Sequence, residues 1–122
     1  MKLLFFVRHT MRTLDDIAKD SELVSEIDWE VTHEQAIASY LEWGNSLAGG
    51  RAVRSGTESS TYFVLDTWNE PKINLVRMDN YGRHDLARIE LPDHLKDEAD
   101  RPKGIYAVDG RIREWLMYEL GA

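Results

Sequence analysis

Few side chains in this sequence are of a type and spacing that could do chemistry. His84, Asp85 and His94, with Asp79, Asp93 and Asp97 nearby, are donors of the kind zinc or manganese accepts. They lack the H-x-x-x-H spacing that sets two imidazoles on one helical face. "YGRHD" (81–85) reads instead as a turn, where Gly and Asp favour the required backbone angles. Arg51 and Arg54 in "GRAVRSGT" (50–57) are candidate anion contacts. The stretch has no lysine, one residue too many between its glycines and a helix before it, so it is not a phosphate loop. The chain has no cysteine, which excludes disulfides, thiolate metal sites and a cysteine nucleophile. Neither a metal nor a cofactor is expected.

What stands out is charge. "LDDIAKDSELVSEIDWE" (14–30) holds Asp15, Asp16, Asp20, Glu22, Glu26, Asp28 and Glu30 against Lys19 alone. With Glu34 and Glu42 the segment from Thr13 to Ala48 carries −8, and the chain as a whole −7, so the remainder is close to neutral. So polarised a distribution points to a partner of opposite sign, whereas direct nucleic-acid binding by this segment would be opposed by phosphate repulsion. On one continuous helix from Asp15 to Glu26, rising roughly 16 Å, the acids would recur about as often as phosphates do along a nucleic-acid strand, roughly every 3.4 Å.

The elements that must position these groups are legible from pattern. At 122 residues, with 43% hydrophobic and 30% charged, the chain fits one globular domain. Residues 2–8 read as a strand buried on both faces, and their five-residue apolar run is too short for a signal or membrane span; a cytoplasmic protein is expected. Thr13 is a helix cap, and Leu14, Ile17, Ala18, Ser21 and Val24 form a helical stripe reaching about Ser25. "EIDWEV" (26–31) alternates as a short half-exposed strand or an extended linker. "THEQ" (32–35) is a capping box opening a helix that "GG" at 49–50 stops. Strands follow at 61–68, 72–78 and 86–91, separated by "NEPK" and "DNYGRHD", the pattern of an antiparallel meander. The first reads as central and the third as nearer an edge. Pro92 opens a short polar helix or turn, 104–108 is a last strand and 110–121 a terminal helix. The expected fold is α+β: a mainly antiparallel sheet, ferredoxin-like or a similar two-layer sandwich, with two or three helices packed on it.

Two resemblances bear on these elements. "FFVRHT" (5–10) resembles the opening of the histidine phosphatase family, in which a strand ends in Arg-His-Gly. That resemblance implies a phosphoryl-accepting role for His9 and a phosphate-holding role for Arg8, with His84 or His94 as a remote partner. Thr10 stands where the family has its glycine. "YLEWGNSLAGGRAVRSG" (40–56) and "GIYAVDGRIREWL" (104–116) resemble passages of small dimeric ferredoxin-like domains of the YCII-related type, without their Asp-Gly-Pro-Phe motif.

Three functional classes follow. The leading expectation is a non-enzymatic binding protein whose acidic face (Asp15, Asp16, Asp20, Glu22, Glu26, Asp28 and Glu30, with Trp29 as apolar anchor) engages a basic, nucleic-acid-binding protein. In size and charge it is similar to small antirestriction and anti-CRISPR inhibitors that mimic nucleic acid. The second is a ligand-binding or phosphatase-like domain with a pocket near Arg8, His9, Arg51 and His84. The third is an oligomer, as a homodimer, through the terminal helix, where Ile112, Trp115, Met117 and Tyr118 offer more apolar surface than one face requires.

Overall fold

Each run of β-branched and aromatic residues in the second half of the chain forms a strand, and together they make one antiparallel sheet. The structure, a computed structural model, describes residues 12–44 (backbone alone for 40–44), 59–79 and 82–122. The expected strand at 2–8, the helix stop at 49–50 and "GRAVRSGT" (50–57) lie outside the described residues. Strands β1 (Ser60–Asp66), β2 (Lys72–Asp79), β3 (Gly82–Glu90) and β4 (Ile105–Ala107) take the order β3-β2-β1-β4. The meander therefore forms as expected, with β1 central and β3 at an edge. The fold is α+β, as the pattern of elements implied.

Each face of the sheet has its own apolar cluster. On one, Phe63, Leu65, Ile73, Leu75, Ala87 and Ile89 meet Ile17, Leu23, Leu95, Ile112, Leu116 and Leu120 from the helices. On the other, Tyr62, Val64, Val76, Met78 and Ile105 meet Ala36. The first cluster is packed by α1 (Leu14–Ala18), α2 (Ser21–Glu26), the 3₁₀ helix Asp93–Ala99 and α4 (Gly110–Leu120). The second is covered by α3 (His33–Gly44), whose capping box forms as expected: Thr32 N–H donates to Gln35 Oε1 at 3.0 Å and Gln35 N–H to Thr32 Oγ1 at 3.2 Å. The Tyr62 hydroxyl fixes α3 to the sheet by donating to the Gln35 carbonyl at 3.0 Å.

Three expectations are corrected. The acidic helix is two helices, because the Asp20 side chain accepts from Leu23 N–H at 3.1 Å and starts a new one. That break turns Leu23, rather than Val24, fully into the core. "EIDWEV" is no strand: Ile27 makes a single parallel bridge to Thr61, and Asp28 then folds back to accept Glu30 N–H at 2.9 Å. A side-chain acceptor close to the backbone competes with the ladder here. Finally, Arg83, His84 and Asp85 belong to β3 and not to a turn.

β3 contains a bulge. Leu75 faces Ala87 while its neighbour Val76 faces Asp85, so Leu86 is an extra residue. Its carbonyl accepts from Arg12 N–H at 3.3 Å, on the outer edge of the sheet. The bulge has a consequence for side-chain direction. Strict alternation would send Arg83 and Asp85 to the face of Ala87 and Ile89, and Arg88 to the other. With Leu86 inserted, Arg83, Asp85 and Arg88 share the α3 face of the sheet with Asn74 and Lys72.

Candidate functional site

The acidic ledge is built by α1, α2 and the turn after them, and five of its seven carboxylates have a structural partner, three of them locally and two from β2 and α4. Thr13 N–H donates to Asp16 Oδ2 at 3.0 Å while Asp16 N–H donates to Thr13 Oγ1 at 3.1 Å, a capping box that the sequence reading missed. The Thr13 backbone N–H, and then its hydroxyl, hold the Asp16 carboxyl below the ordinary carboxylate value. Asp20 caps α2, and Asp28 closes its own turn. Glu26 accepts from Arg77 Nη2 at 2.9 Å, and Glu30 lies 3.8 Å from Arg113 Nη1. Arg113 also donates to the Trp29 carbonyl at 3.1 Å, which ties the end of the ledge to α4. Asp15, Asp16, Asp20, Glu22 and Asp28 form no ion pair with the described residues. A carboxylate that caps a helix keeps its charge, so capping explains the acids without discharging the surface.

Trp29, expected as an apolar anchor, turns part of its surface inward. It is partly buried against the main cluster, its ring 5.7 Å from that of Phe63. The helical break also removes the regular row that phosphate-like spacing needs. Along the terminal helix, Ile112 is in the core and Trp115 packs against it, edge-on to the His94 ring. That leaves Met117, half-buried, and Tyr118, 82% exposed, as the outward apolar residues of the proposed oligomer surface.

The metal candidates do not converge. His84 and Asp85 project from opposite faces of β3; His84 Nε2 is 2.9 Å from Asp79 Oδ1, whereas Asp85 pairs with Arg83. Among the described residues no group of three His, Cys, Asp or Glu is placed to hold a metal. Arg8, His9, Arg51 and Arg54 lie outside the described residues.

A second polar site emerges where the bulge places it. A cavity of about 290 Å³ is lined by Asp66, Asn69, Glu70, Lys72, Asn74, Arg83, Asp85 and Arg88. The register explains the company: Asn74 lies between Val64 and Arg88, and Lys72 between Asp66 and Glu90. The Arg83 side chain is 7% exposed, donates Nε–H to Asp85 Oδ1 at 2.8 Å and pairs its Nη2 with the same oxygen at 2.7 Å. Lys72 reaches Glu70 at 3.3 Å, and Asp66 Oδ1 accepts Trp68 N–H at 2.9 Å. Asn74 is the exception. It is 6% exposed, and its Oδ1 has no hydrogen-bond partner among the described residues. An orphaned buried acceptor of this kind costs about 1–3 kcal/mol, and native structures keep few of them. The sequence carried one signal for this site: Asn74 is the single polar residue inside the run "INLV" of a central strand.

An apolar cleft of about 250 Å³ opens at the β4 edge, lined by His33, Ile37, Trp68, Lys103 and Tyr106 among others. The His33 and Tyr106 rings lie 5.6 Å apart there. No helix among the described residues is long and apolar enough to cross a membrane. In comparisons with known proteins, no family model, curated protein or solved structure matches the chain.

Proposed function

We propose that this protein is a non-enzymatic binding protein whose N-terminal ledge docks on a cationic protein surface. The observation that carries the proposal is the set of ionised acids on α1, α2 and the following turn that no arginine or lysine of the described fold pairs with: Asp15, Asp16, Asp20, Glu22 and Asp28. Arg77 and Arg113 pair only with its last two glutamates, while Lys19 and Arg12 act on Asp16 through their charge without pairing with it. A cationic partner is attracted to the field of such a surface, and its approach is accelerated most at low salt. The partner class that best fits is a nucleic-acid-binding protein, whose groove is already built for an anion. The attraction is that of a diffuse field, because two short helices set at a break hold no phosphate-like register.

Capture from native lysate at about 10 mM salt, where the Debye length is ~30 Å, followed by a gradient to about 150 mM, where it is ~8 Å, tests this reading. Retained proteins should elute within the gradient and be displaced by added duplex DNA. Retention that ignores both salt and DNA would overturn it.

A further inference from the structure

Independently of the ledge, we infer that the bulge-built cavity on the α3 face of the sheet binds a small free α-amino acid. Three observations converge on that class.

First, the site is assembled rather than incidental. Leu86 is inserted into β3 and thereby brings Arg83 and Asp85 to the same face as Arg88, beside Asn74 and Lys72 of β2. Bulges recur next to functional sites because they re-aim side chains in this way. The resulting cavity, about 290 Å³, is at the lower end of the range that takes small ligands.

Second, its inner groups are acceptors in need of donors. Asn74 Oδ1 is buried without a partner among the described residues. Arg83 directs its Nε–H bond and its Nη2 ion-pair contact to Oδ1 of Asp85, and Oδ2 of the same carboxylate takes no bond from the described residues. An ammonium group carries three donors and one positive charge, which suits a neutral amide oxygen beside a carboxylate.

Third, the rim holds a cation with no partner among the described residues. Arg88 is exposed and makes no ion pair or hydrogen bond with the described residues, and its guanidinium fork matches a carboxylate in two-point geometry. The lining as a whole is balanced, with Asp66, Glu70 and Asp85 against Lys72, Arg83 and Arg88. A balanced site favours a zwitterion over a net anion or a net cation. The amine therefore lies inward, at Asn74 and Asp85, and the carboxylate outward, at Arg88.

The test uses the full chain and the free L-amino acids as probes, each at about 10 mM, a concentration that detects millimolar affinity. Binding is read by ligand-observed NMR, with ethanolamine, lactate and glycerol as controls that each lack one of the two charged groups or both. At least one amino acid should bind while the three controls do not. Arg88→Ala and Asn74→Leu should each weaken binding about tenfold or more. Asn74→Leu should at the same time raise the melting temperature of the unliganded protein, which shows that its lost binding is not lost folding. Binding by none of the amino acids, equal binding of lactate or glycerol, or undiminished binding by both variants would each overturn the assignment.

Discussion

The acidic ledge and the sheet-face cavity are opposites in how they are made. The ledge is contiguous in sequence, exposed, and held by bonds that span two or three residues. The cavity draws on β1, β2, β3 and the loop after β1, and it exists because one extra residue sits in one strand. In the ledge the caps do their work within the local chain, and Arg77 and Arg113 hold its far end from elsewhere in the fold. In the cavity a buried polar atom has no partner among the described residues. The difference teaches that crowded charge is easily noticed and often structurally accounted for, while an unmet hydrogen-bonding group is silent in sequence and harder to explain away.

That contrast can be broken or sharpened by substitution. The largest effect is expected at Asp85→Ala, which leaves the Arg83 guanidinium buried beside no carboxylate; stability should fall by about 3 kcal/mol in denaturant unfolding. A loss below about 0.5 kcal/mol would mean that the guanidinium finds water, and that the cavity is open rather than built.

Next come the caps of the ledge. Asp20→Ala and Thr13→Ala should each cost about 1 kcal/mol, while Asp15→Ala, which removes no hydrogen bond, should stay within about 0.5 kcal/mol. Equal losses at all three positions would erase the distinction between capping acids and free ones.

Opposite in sign, Asn74→Leu should stabilise the protein by about 1 kcal/mol, since it removes an orphaned acceptor and adds apolar volume. A destabilised variant would show that the amide is satisfied in solution.

The smallest effect is in pH. Because its folded value is depressed, Asp16 contributes stability that is fully present above the ordinary carboxylate value of 3.8 and is lost as pH falls through the folded value. Wild type should therefore lead Asp16→Asn at neutral pH, and the two unfolding curves should converge in acid. A constant gap across that range would remove the role assigned to the charge of Asp16.

The sequence was most informative where structure is local or strictly periodic. The meander, the capping box at Thr32 and Gln35 and the terminal helix closed by Gly121 all follow from short-range pattern. It was misleading where a side chain outcompetes the backbone. Asp20 and Asp28 lie in stretches whose apolar spacing fits a longer helix and a strand, and each ends the element by bonding to a nearby N–H. Trp29 and Ile112 look equally fit for a core or an interface, because hydrophobicity alone does not say which neighbour covers a residue. Beyond the polar Asn74 inside "INLV", the cavity was out of reach. Its membership depends on the bulge at Leu86, and alternation counted along "RHDLARIE" sorts Arg83 and Asp85 onto the wrong face.

The ledge also decides which residues a binding test should change. Reversing Asp16, Asp20 or Glu26 would disturb a cap or an ion pair as well as the field. Asp15 and Glu22 have no such duty, and lysine at these first-turn positions should cost only about 0.3–1 kcal/mol each. The most direct measurement is the affinity of a captured, DNA-displaceable partner for wild type and for Asp15→Lys/Glu22→Lys at low salt, with both chains shown to be folded. Docking through the ledge predicts a drop of about tenfold or more that shrinks as salt is raised. Equal affinity of the two chains would contradict it.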